Sequence, residues 1–206
     1  MNNTIGINQR IPLHILETAL ICYLKDAYSE DYIREQMASE YTGENRIKKG
    51  ISFISKVICR SPLLHEFMDR KEEILNAMKY EKDKNVILIA LLCASYPFAY
   101  DILNAMGRYF QVQEFVNSEL IKKTICNKYG SNRSAQNGLY AVLPTFIEGG
   151  FFLRPKIGIY QSIEKIQLKS QITWDIYCKA YIINNPLALI GEEVFYEPYF
   201  GFCENK

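Results

Sequence analysis

The chain has 206 residues, 49% of them apolar, and a formal net charge of +1. That length holds one large domain or two small ones around a real core, and the apolar fraction excludes an intrinsically disordered chain. Six cysteines lie far apart with no CxxC and no Cys/His pairing. This argues against a disulfide scaffold or zinc site and for a reducing, cytoplasmic setting.

The opening MNNTIGINQR lacks the basic-then-apolar layout of a signal peptide. Pro12 suits the first turn of a helix through His14, Leu16, Leu20 and Leu24. Ser29 is placed to cap a helix over 30–40, which Thr42–Gly43 breaks. Residues 44–60 have the clearest amphipathic pattern, and Ser61–Pro62 ends it. Short helical pieces follow over 63–68 and 71–78, then a charged loop at Lys82–Lys84. The nearly uncharged run Val86–Tyr100 is too short for a bilayer and is broken by Pro97, so it reads as a buried helix. Pro97 opens a further helix to Phe110.

No strand signal appears before residue 151. Asn117–Ser118 offers a cap for a helix over 119–129, with Leu120, Ile121, Thr124 and Ile125 on one face. Gly130 stops it, a second helix spans 132–148, and Gly149–Gly150 ends that one. The apolar runs 151–153 and 157–160 predict a hairpin with Arg154-Pro155-Lys156 at its tip. A last helix, 173–184, carries the stripe Trp174, Tyr177 and Tyr181, and an aromatic tail follows. The expected fold is mainly α, a helical bundle followed by a winged helix-turn-helix with one small β-hairpin. Its parts are residues 1–96, 97–165 and 166–206, the last packed back on the core.

Charge is unevenly placed. Residues 108–170 hold nine lysines and arginines against four acids. In the helix 132–148, Ala135, Leu139, Val142, Leu143 and Phe146 share an arc of about 100°, facing away from Arg133, Asn137, Tyr140 and Pro144. Gln136 lies at the margin. Arg, Asn and Gln match base edges, and Tyr can stack or reach phosphate. The alternative is the solvated face of an amphipathic helix or a protein contact. Lys122, Lys123, Lys128, Arg154 and Lys156 are candidates for phosphates. Independently, Arg46, Lys49, Lys56 and Arg60 form a stripe opposite Ile47, Ile51, Ile54 and Ile58, with no acid between Asn45 and His65. Such a stripe is either a solvated face or a second phosphate-contacting surface.

His14 and His65 have no partner at ligand or catalytic spacing, and no GxSxG, P-loop or HExxH occurs. The expectation is a non-enzyme without metal or cofactor.

The layout also resembles a family. The basic segment ENRIKKGISFISKVICR runs into RSPLLHEFM; NVILIALLCASYPFAYDILNAMGRYF and NSELIKKTICNKYGSNRSAQNGLYAVLPTFIEGGFF follow. Over roughly residues 10–160 this looks like the BrxA proteins of BREX phage-exclusion systems. The resemblance implies a NusB-like helical part, a winged-helix part, DNA binding without catalysis, and anti-phage defence. Double-stranded DNA is therefore the expected partner, with other defence-system subunits possible and no membrane. The alternatives are a protein-interaction subunit of a larger complex, or RNA binding through the NusB-like half.

Overall fold

The computed structural model describes residues 4–188 and 191–204. Residues 1–3 of the opening segment, read above against a signal peptide, lie outside them. The described chain is mostly helical. Its helices are α1 (Leu13–Leu24), α2 (Glu30–Glu40), α3 (Glu44–Ile58), α4 (Leu64–Asp69), α5 (Lys71–Ala77), α6 (Glu81–Ser95), α7 (Pro97–Phe110), α8 (Ser118–Tyr129), α9 (Arg133–Glu148) and α10 (Gln171–Asn184). The strands are β1 (Phe115–Asn117), β2 (Leu153–Lys156), β3 (Ile159–Gln161), β4 (Ile166–Gln167) and β5 (Cys203–Glu204).

Local signals set the boundaries. The Ser29 hydroxyl accepts from the Tyr32 N–H at 3.3 Å, capping α2. The Asn117 and Asn132 side chains accept from the Glu119 and Ala135 N–H groups at 2.9 and 3.0 Å and open α8 and α9. Gly130 ends α8. α6 is buried nearly all round, which explains its uniformly apolar sequence. It forms the centre of the molecule, with α1, α3, α7 and α10 against it. The buried residues make one cluster from Ile7 to Cys203. No helix among the described residues is long and apolar enough to cross a membrane; α6 and α7 meet at a 119° bend.

The charged loop expected at Lys82–Lys84 is instead the first turn of α6. Asp83 turns inward and is fully buried, so the charges do not mark a solvated loop. Its carboxylate accepts from the Lys169 and Ser170 N–H groups and the Thr173 hydroxyl, at 3.1, 2.9 and 2.8 Å. The acid thereby caps α10 from another helix. The Glu66 carboxylate holds α10 from a second side, pairing with Lys179 and with Arg70 at 3.5 Å.

The tail packs back on the core. Tyr199, Phe200 and Phe202 are buried, Tyr177 stacks on Tyr199 with centroids 4.3 Å apart, and the Tyr177 hydroxyl donates to the Tyr199 carbonyl at 2.6 Å. β5 at its end pairs in parallel with β4.

A strand does precede residue 151. β1 pairs antiparallel with β3, and β3 with β2, so the sheet order is β1-β3-β2. Three residues are too few for alternation to register in sequence. The hairpin is also shifted from its expected register. Arg154, Pro155 and Lys156 belong to β2, and Ile157–Gly158 forms the tip. Gly158 turns the chain at φ +82°, a conformation open to glycine. Pro155 is tolerated because β2 is an edge strand.

Candidate nucleic-acid interface

α9 is buried on two flanks rather than one. The expected arc, Ala135, Leu139, Val142, Leu143 and Phe146, is buried. A second row, Gly138, Ala141 and Thr145, is buried as well. The extended segment before α1 lies along it. The Thr145 hydroxyl donates to the Ile11 carbonyl at 3.3 Å. Glu148 pairs with Arg10 at 2.7 Å and accepts from the Leu13 N–H at 3.1 Å. Gly138 leaves no room for a side chain, since a β-carbon would fall 2.6 Å from the Phe98 ring of α7 and 2.9 Å from Ile5 of the segment. A strip about 120° wide remains open, at about 100° per residue. Arg133, Asn137, Tyr140 and, at its C-terminal end, Glu148 are its exposed members, with Tyr140 72% exposed, and Gln136, Pro144 and Ile147 are half-buried.

The hairpin stands beside this strip. β2 is exposed throughout, and Ile157 at the tip is 90% exposed. The Ser118 N–H donates to the Gly158 carbonyl at 2.8 Å, tying the tip to the start of α8. Tyr160 in β3 is buried and packs edge-on against Phe152, with centroids 5.5 Å apart. Burial raises its hydroxyl pKa; the Arg154 charge opposes that rise and Tyr140 adds to it. Arg154 and Tyr140 therefore both lie near this hydroxyl.

The candidate cations are not equivalent. Among the described residues, Arg133, Lys123, Arg154 and Lys156 have no ion pair, and Lys122 has a loose one to Glu119 at 3.4 Å. Lys128 is engaged by Asp101 at 2.6 Å, and the Tyr129 hydroxyl donates to the same carboxylate at 2.5 Å. Its charge is largely neutralised within the fold.

The basic stripe of α3 divides. Its apolar face is buried as the periodicity predicts. Arg46 and Lys49 reach α9: with Asn137 and Tyr140 they line a cleft of about 390 Å³. The segment Asn8–Arg10 forms part of its lining, and Tyr41 and Asn45 complete the α3 side. The Gln9 amide donates to the Arg46 carbonyl at 2.8 Å, and the Arg46 guanidinium lies over the Tyr41 ring, 5.3 Å from its centroid. Lys56 is drawn onto the Tyr96 ring at 4.2 Å, and burial together with nearby Arg60 pulls its ammonium below the usual lysine range. Arg60 curls back to the Ser52 carbonyl at 3.4 Å.

Sequence reasoning missed Asn8, Gln9, Tyr41 and Asn45. They lie in an irregular segment and at a helix entry, where no periodicity marks a face. His14 and His65 pair with Glu40 and Asp69 at 3.6 and 2.7 Å. No group of three or more His, Cys, Asp or Glu among the described residues could hold a metal ion.

No protein family, curated protein or solved structure matches this chain.

Proposed function

We propose that the protein binds double-stranded DNA without catalysis, through a winged helix formed by α7, β1, α8, α9, β2 and β3. The element order and the β1-β3-β2 sheet support this reading, in which α9 takes the recognition position. The observation that carries this reading is the open strip of α9 beside a basic hairpin. Arg133, Gln136 and Asn137 lie in the N-terminal half of α9, the half that recognition helices present to base edges. Lys122, Lys123, Arg154 and Lys156 supply the phosphate contacts in this reading. Lys128 contributes less, because Asp101 already holds it. The resemblance over residues 10–160 adds a place in a phage-exclusion system as its DNA-binding component.

Fluorescence anisotropy with labelled duplex DNA over a salt series tests this. Affinity falls steeply with salt, and removing one lysine or arginine from its phosphate reduces the slope of log K against log salt by about 0.9. The variant with Lys122, Lys123, Arg154 and Lys156 all changed to Ala should bind any duplex more weakly and with a shallower slope. Unchanged affinity and slope in that folded variant overturn the assignment.

One observation favours a second reading, docking to another protein. Phe115, Leu153 and Ile157 are exposed apolar residues on the same small sheet. Complex formation through them would be nearly insensitive to salt, so the same titration separates the two.

A further inference from the structure

We propose that the cleft between α3 and α9 receives one unpaired nucleotide, so that the protein prefers a duplex bearing an unstacked base over a fully paired one. This rests on the DNA-binding reading and concerns what lies beside the groove-facing strip. The cleft, about 390 Å³, is of the size of a single nucleotide rather than of a duplex. Its chemistry divides in the way a nucleotide does. Tyr140 offers a ring that is 72% exposed, free to stack on a base. Asn8 and Asn45 bring amides that pair with Watson–Crick or Hoogsteen edges once a base is unstacked, and Gln9, whose amide N–H is held by the Arg46 carbonyl, offers its oxygen. Arg46 and Lys49 are exposed cations with no ion pair among the described residues, placed for the attached phosphate. Arg10, the third cation there, is already satisfied by Glu148 at 2.7 Å.

Two features separate this cleft from a solvated charged face. Its cations come from α3 and its ring from α9, and the Gln9–Arg46 and Arg10–Glu148 bonds of the intervening segment hold the two walls in place. The face is therefore assembled by the fold before any ligand arrives. It also opens onto the strip of α9 headed by Arg133 and shares Asn137 and Tyr140 with it, so a strand leaving the duplex passes directly to it. An extruded base costs unpairing energy unless it is already unpaired, which favours ends, overhangs and mismatches.

The test compares a blunt duplex with the same duplex carrying one unpaired 2-aminopurine, using anisotropy for affinity and 2-aminopurine fluorescence for stacking. The expected result is tighter binding of the second probe by about tenfold, the scale of one base–aromatic stack, with fluorescence quenched on binding. Tyr140→Ala and the double variant Asn45→Ala, Arg46→Ala should bring that ratio towards one and remove the quenching. The quadruple variant of Lys122, Lys123, Arg154 and Lys156 should weaken both probes and keep the ratio. Equal affinity for the two probes, or a ratio and quenching that survive in the cleft variants, overturns the proposal while leaving duplex binding intact. If the wild type binds neither probe, the duplex reading fails too, and it is identified as the failure by the blunt probe alone.

Discussion

Removing the Asp83 carboxylate measures how firmly the C-terminal third of the chain is attached. The acid is fully buried and takes three hydrogen bonds, from the Lys169 and Ser170 N–H groups and the Thr173 hydroxyl. These donors lie at the start of α10, whose own N-cap residue Ser170 makes no side-chain cap. A buried donor left without an acceptor costs about 1–3 kcal/mol, and water entering the site recovers part of it. Asp83→Ala strands all three and takes a negative charge from the positive end of a helix, so it should cost about 3–5 kcal/mol. Asp83→Asn keeps one oxygen at nearly the same place and should cost about 1–2 kcal/mol. Urea unfolding followed by circular dichroism gives both numbers. Trp174, the one tryptophan, packs on Phe195 and Phe200 with centroids 5.5 and 5.6 Å away, so its fluorescence reports the contact between α10 and the tail. A destabilisation under about 1 kcal/mol for Asp83→Ala, or an Asn variant as damaged as the Ala variant, refutes the capping role.

On α9, Leu139→Ala should cost about 2–5 kcal/mol because the residue is buried, whereas Asn137→Ala should change stability by under about 0.5 kcal/mol; thermal melts that reverse this order show the helix to be rotated. Gly138→Ala drives a methyl into Phe98 and Ile5, and melts should show a destabilisation of about 1–3 kcal/mol. Lys179 and then Arg70 hold the Glu66 carboxyl below its usual value of 4.5. A lowered folded-state value stabilises the protein above that pH, and the gain disappears as pH falls through the folded value. Denaturant midpoints of the wild type and Glu66→Gln should therefore differ near neutral pH and converge in acid.

The parts legible in the sequence are those where periodicity and caps act locally. α9 could be placed because its buried residues recur at helical spacing and Asn132 caps it. The apolar face of α3 followed from the same logic. The hairpin was misplaced by a residue-type argument. Arg154-Pro155-Lys156 looks like a turn by composition, but the turn needs a positive φ, and Gly158 supplies it with Ile157 beside it. β1 was invisible because its three residues acquire strand character only by pairing with β3. Asp83 was misread because a buried carboxylate is identified by its distant donors, not by its charged neighbours.

The second flank of α9 was the least legible feature and the one with most bearing on function. Gly138, Ala141 and Thr145 are small residues, which on an exposed face carry no signal and on a buried one mark a close approach. Here the segment before α1 makes that approach, and the Arg10–Glu148 pair fixes it at the C-terminal end of the helix. Two consequences follow for any ligand of α9. Access is limited to the strip headed by Arg133, because the segment closes one side and the core the other. The cations of α3 are brought next to that strip by the same segment, through Gln9 and Arg46. Neither residue pair could be associated from sequence spacing, since each joins parts of the chain that only the fold places side by side. A perturbation of the segment should therefore affect both walls of the cleft together, whereas a change confined to the hairpin should leave them in place.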